Sequence, residues 1–82
     1  MFIKVKMRNH VIQHGFDQNN KEIEEKVENQ EWAEKIIPIS RIKSVTEKAL
    51  LMDYAHGRWI YWEYEGGLAS IEMKLKKAGV FL

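Results

Sequence analysis

The 82-residue chain contains no cysteine. Disulfides, thiolate zinc sites and cysteine nucleophiles are therefore excluded. Small secreted domains usually carry disulfides, so this lack points to a reducing cytoplasm. Long apolar runs are also missing. The N-terminus MFIKVKMR alternates charge with apolar residues instead of forming a signal-peptide core, and no stretch approaches the roughly 20 apolar residues of a membrane span. A surplus of charge is lacking as well. The net charge is +1, whereas nucleic-acid binders are often strongly basic and DNA mimics must be strongly acidic. There are no repeats, linkers or low-complexity segments.

The motifs of common chemistry are absent too. Ser40, Ser44 and Ser70 lie in no GxSxG context, and there is no GxGxxG and no P-loop. His10 and His14 have the i,i+4 spacing that ligates metal from a helix, but Gly15 and the strand-like Val11-Ile12 argue against a helix there. A third or fourth ligand is also missing, so these read as surface or loop histidines, like His56. Glu63 and Glu65 share one strand face without a pocket and read as solvated charges. Glu65-Gly66-Gly67 reads as a chain reversal. No catalytic residue, metal or cofactor is expected.

What is present is an ordinary globular composition, 45% hydrophobic and 30% charged, with three each of Trp, Tyr and Phe. Residues 1–82 make one domain. A chain this short buries only about 60% of its unfolded surface, so large rings must fill a thin core. Charge is segregated. Residues 20–37 carry three Lys and six Glu, net −3, and the remainder carries net +4.

Periodicity places a strand at 2–8, with Ile3, Val5 and Met7 on one face and Lys4, Lys6 and Arg8 on the other. Such a cationic row suits an edge strand. Turn residues follow at Gly15, Asp17, Asn19 and Asn20. Residues 20–37 predict an acidic helix, with Asn19 or Asn20 as cap, Glu22 at capping-box spacing and Pro38 as terminator. Its stripe is Ile23, Val27, Ala33 and Ile37. Trp32 and Ile36 form a separate i,i+4 pair off that stripe, which either bridges to a second element or faces a partner.

Ile39 to Val45 reads as extended. A hairpin follows: Ala49–Tyr54, the loop Ala55-His56-Gly57, and Arg58–Tyr64, with Gly57 in the left-handed position. Leu50, Met52, Tyr54, Ile60, Trp62 and Tyr64 fall on one face, and Leu51, Trp59 and Tyr61 on the other. Residues 68–78 fit both periods. Lys74, Lys76 and Lys77 followed by Gly79 favour a helix C-terminus. The expected fold class is α+β: a small antiparallel or mixed sheet with one acidic helix packed on it and a short C-terminal helix. The acidic helix's stripe should bury against Leu50, Met52, Ile60 and Trp62.

Val45-Thr46-Glu47-Lys48-Ala49-Leu50-Leu51, then Gly57 and Trp59, then Lys76-Lys77-Ala78-Gly79, resembles small phage and prophage accessory proteins. In those a TEKA-aliphatic strand leads into a glycine turn, a Trp strand and a short Lys-rich helix. The similarity covers roughly half the chain. The family's usual Trp-Ile-Pro-Lys element is absent, replaced by Trp59-Ile60-Tyr61-Trp62. The resemblance implies a phage-type origin, in a class that includes inhibitors of CRISPR and other defence systems, and it assigns no functional residues.

Two apolar hairpin faces are more than a half-solvated hairpin needs, so this hairpin is either central in the sheet or presents a binding face. The expected function is a non-catalytic protein-binding module in the host cytoplasm, contacting a host or defence protein through Trp59, Tyr61, Trp32 and Ile36, with Glu28 and Glu31 at the rim. One alternative is a nucleic-acid-binding domain using Lys4, Lys6, Arg8, Arg58, Lys74, Lys76 and Lys77. The other is a structural protein that self-associates, as a homodimer, through the second hairpin face. Truncating one face's Trp should then spare the fold, and truncating the other's should not.

Overall fold

The molecule is organised around one strand of fifteen residues, β1 (Phe2–Phe16), in a computed structural model that describes residues 1–80. Five further strands follow: β2 (Glu22–Val27), β3 (Ala33–Pro38), β4 (Ile42–Val45), β5 (Ala49–Tyr54) and β6 (Arg58–Tyr64). A single α-helix, α1 (Gly67–Lys77), is the last element among the described residues, and short 3₁₀ turns occupy Ile39–Arg41 and Ala55–Gly57. All strand pairings are antiparallel, in the order β2-β1-β6-β5-β4. β3 also pairs with β1, on the same edge as β2: β3 lies along Phe2–Met7 and β2 along His10–Phe16.

Between those two contacts β1 bulges. Its register with β6 shifts between Arg8 and His10, and Asn9 takes a left-handed conformation with φ 39°. Asn tolerates that region better than most residues. The extra residue moves the inward set from odd to even positions. Ile3, Val5 and Met7 face inward before the bulge, and His10 and Ile12 after it. The Asn9 side chain fastens both neighbours. Its Nδ2 donates to Glu63 Oε2 at 3.0 Å, and its Oδ1 accepts from the Asn29 amide at 2.8 Å. The same Glu63 carboxylate takes Arg8 Nε at 3.0 Å and Nη2 at 2.9 Å. These bonds, Asn9's first, hold the Glu63 carboxyl below its usual range.

The core lies between the inner face of the sheet and α1. Ile71 and Leu75 of the helix join Val5, Met7, Leu50, Met52, Ile60 and Tyr64, while Trp62 and Tyr54 pack at the margin half-buried. Leu50 is 0% exposed. The Tyr64 hydroxyl donates to the Thr46 carbonyl at 2.7 Å, and burial, reinforced by Glu47, raises its pKa above the ordinary 10.0. His10 stacks on Trp62 with ring centroids 4.1 Å apart. Burial, then the Lys35 charge, lowers its pKa below 6.5, against a smaller opposing pull from Glu25.

The hairpin 49–64 forms with the expected strands and loop. Gly57 is left-handed at φ 73°, and His56 is too, at φ 60°. The chain reversal at Gly66-Gly67 depends on glycine more strictly. Both have positive φ, and a Cβ on Gly66 would sit 2.8 Å from Ser70 Oγ.

The acidic helix at 20–37 is not there. That segment forms β2 and β3, joined across 28–32, and the fold is predominantly antiparallel sheet with one short C-terminal helix. The expected stripe dissolves accordingly. Ile37 is buried, but Ile23 is 43% exposed and Ala33 is also exposed. The physical reason is β1's length. β6 covers one edge of only its central residues, and the opposite edge of all fifteen needs hydrogen-bond partners that a packed helix cannot supply. Two short strands in tandem, interrupted opposite the bulge, supply them. Pro38 ends β3 as an edge-strand residue, not as a helix stop.

Two predictions follow from this packing. In urea titrations, Leu50→Ala should lose about 2–5 kcal/mol, whereas Ile23→Ala should change stability by less than about 0.5 kcal/mol. An equal loss at Ile23 would restore the helical packing.

The second concerns pH. A His whose folded pKa is lowered gives stability that is lost as pH falls below 6.5, because the unfolded chain takes the proton first. A carboxylate with a lowered pKa loses its contribution as pH falls through 4.5. A tyrosine with a raised pKa loses its own as pH rises past 10.0. Unfolding midpoints should therefore decline in two acid stages and one alkaline stage. His10→Asn should remove the first stage and Glu63→Gln the second; a first stage unchanged by His10→Asn contradicts the assignment.

Candidate binding site on the outer face of the sheet

Every inward residue of the sheet leaves its strand neighbours pointing outward, and no element covers that outer face among the described residues. Cross-strand registers place its side chains in rows. One row runs Ser44, Leu51, Tyr61, Val11, Lys26. The next runs Asp53, Trp59, Gln13, Glu24. Trp59 is 47% exposed and Tyr61 38%, with Val11 and Leu51 half-buried beside them. The hairpin's two faces are thus divided as the alternation indicates, with Trp62 on the core side and Trp59 on the solvent side.

Trp32 and Ile36 join the same face, although the helix that suggested them is absent. Positions i and i+4 coincide on one face of a strand as well as of a helix, and Ile36 sits opposite the outward Lys4. Ile36 is 65% exposed, with Phe2 close by at the same end of the sheet. The Arg8 guanidinium lies 4.2 Å from the Trp32 ring centroid. Ile36 and Trp59 lie level with β1 residues nine apart, Lys4 and Gln13, or about 30 Å at strand rise. The apolar surface is therefore two patches, joined by Arg8, Trp32 and Glu63. Glu28 and Glu31 are exposed in the 28–32 connection, beside the bulge, and do not encircle Trp59.

The Trp59 patch opens into a concavity of about 370 Å³ at one end of the sheet, between the β1–β2 turn and the β5–β6 loop. His14, Phe16, His56, Arg58, Trp59 and Tyr61 line it. His14 is held on both nitrogens, by Glu25 on Nε2 at 3.0 Å and by Arg58 on Nδ1 at 2.9 Å. With Arg58 donating to Nδ1, the Nε2 carries the proton toward Glu25. A second register shift, between Gln13 and Phe16, sets the direction of Phe16. Val11 escapes the sequence pattern because the bulge at Asn9 reverses the inward–outward alternation beyond it. No spacing rule counted from Ile3 crosses that position correctly.

The electrostatics of this face are balanced. Arg8 is paired with Glu63 at 2.9 Å, Lys43 with Asp53 at 3.2 Å and Lys4 with Glu34 at 3.6 Å. Lys43 also sits 5.5 Å from the Trp59 ring centroid. The cations picked for phosphate contact are not gathered beside the Trp59 and Tyr61 rings. Arg58 points to the opposite face, bonded to Ala55 O and His14 and lying over Tyr54. Lys4, Lys6 and Lys74 meet instead at the far end of the sheet, and Lys76 is exposed on α1. No group of three or more metal-ligating side chains is assembled among the described residues, and no helix there is long and apolar enough to cross a membrane. No protein-family model, curated protein or solved structure matches this chain.

Proposed function

We propose that this chain is a non-catalytic protein-binding module of phage type, an inhibitor that docks on a host or defence protein in the host cytoplasm. The observation that carries the reading is the exposure of Trp59 and Tyr61, on one face of a central strand, with Val11 and Leu51 beside Tyr61 on the neighbouring strands. Rigid aromatic rings give much contact area at little entropy cost, and they dominate interface energetics. The ion pairs argue against the nucleic-acid alternative. Single-stranded binding needs cations beside the rings to hold phosphates, and Arg8 and Lys43 already face carboxylates at contact distance. The phage origin and the inhibitory role rest on the resemblance of residues 45–59 and 76–79 alone.

The test compares Trp59→Ala and Trp62→Ala by thermal melting and by calorimetric affinity for a partner recovered from host lysate. Trp59→Ala should keep its melting temperature within a few degrees yet weaken binding by at least about 2 kcal/mol. Trp62→Ala should lose about 3 kcal/mol of stability, because its ring packs on the core and under His10. Binding that survives Trp59→Ala and weakens steeply with salt would instead select nucleic acid.

A further inference from the structure

β6 reaches only the central part of β1, and Glu65 lies opposite Lys6, so the edge of Phe2–Val5 on that side is left without a strand. β3 occupies the other edge of these residues. The Lys6 carbonyl accepts from the Glu65 amide at 2.9 Å, which shows which way alternate groups point. By the period of two, the amides and carbonyls of Phe2 and Lys4 point the same way, and no strand among the described residues receives them. An open edge of this kind is a template for strand addition.

The edge is not flat. α1 runs beside it and leaves two adjoining clefts of about 310 and 300 Å³, which share Lys4 and Lys74. Lys6 lines the first cleft and Lys77 the second. The carboxylates there are Glu65 and Glu34, and Glu34 is already paired with Lys4. Four ammonium groups against two carboxylates leave the groove cationic, unlike the balanced outer face.

We infer that this groove binds an extended acidic peptide segment of a partner by adding it as a strand to the free edge of β1. The register sets the sequence it takes. The residues lying opposite Phe2 and Lys4 point to the outer face and are Asp or Glu, within reach of Lys4 and, diagonally, of Lys6. The residue between them lies opposite Ile3, points toward Lys74, Lys77 and Ala78 of α1, and must be small. The motif is acid–small–acid at alternate positions, held by backbone bonds for affinity and by lysines for choice of sequence. A row of lysines that served only to repel other strands would show no such preference. This site is independent of the Trp59 patch.

The test is an NMR titration of the isotope-labelled full chain with a short capped peptide of alternating glutamate and threonine. Shifts should centre on Phe2–Lys6 and on α1 from Ser70 to Ala78, and the Lys4 amide should gain exchange protection. The same peptide with lysine for glutamate should bind about tenfold more weakly or worse, and N-methylation of alternate peptide amides should abolish binding. Lys74→Glu, at a half-buried helix position with no ion pair among the described residues, should weaken the glutamate peptide and strengthen the lysine peptide. Trp59→Ala should leave the titration unchanged, which separates this site from the aromatic face. Equal binding of both peptides, no binding, or indifference to N-methylation would overturn the proposal. So would concentration-dependent shifts at the same residues without peptide, which would make the occupant a second copy of the chain.

Discussion

Everything in this fold depends on keeping β1 hydrogen-bonded along its length while reversing its inward face once. The bulge at Asn9 achieves both. It allows one strand to serve two ladders on the same edge, β3 before it and β2 after it, and it puts His10 and Ile12 into register with Trp62 and Ile60. The left-handed backbone at Asn9 is held from both sides, by Glu63 on β6 and by the Asn29 amide in the β2–β3 connection. An Ala there would lose both bonds and retain the backbone strain.

The same arrangement accounts for the two surfaces. β6 pairs from Met7 onward, so the bulged half of β1 is central in the sheet and its outward residues make a broad, rigid face bearing Tyr61 and Trp59. The other half of β1 has one free edge, and the helix that closes the core runs along it. Charge is handled differently in the two places. On the face, cations and carboxylates are matched across strands at 2.9 to 3.6 Å. In the groove, lysines from a strand and from a helix converge with fewer acids.

The hairpin was legible in the sequence because both of its signals are local: period-two alternation and a glycine in the loop. The solvent side of Trp59 follows from the same alternation, and so does the C-terminal helix once lysines and Gly79 are weighed. The segment 20–37 predicts a helix although it forms strands, because its apolar residues are spaced by four, which a helix and a strand satisfy equally: Ile23 and Val27, Trp32 and Ile36, Ala33 and Ile37. The residues that would have broken the tie are charged. Glu25 and Lys35 stand at inward strand positions, where apolar residues would be expected. Glu25 is tolerated there because it meets His14 at 3.0 Å, and Lys35 because it lies 5.0 Å from the Trp62 ring centroid. Both partners are distant in sequence. Inward charges on edge strands also discourage aggregation, at the cost of hiding the strand from any periodicity argument. Helix propensity favoured Glu and Lys throughout this stretch, and the unsatisfied edge of β1 outweighed it.

The central claim is that β1 is flanked in tandem by β2 and β3 on one edge and by β6 on the other, with the bulge between the two contacts. Interstrand NOEs of the backbone test it most directly. The account predicts that Met7 shows contacts to both Ala33 and Tyr64, and His10 to both Val27 and Trp62, with no medium-range helical contacts between residues 22 and 37. A continuous run of i to i+3 contacts across that segment, with Met7 and His10 each touching only β6, would contradict it.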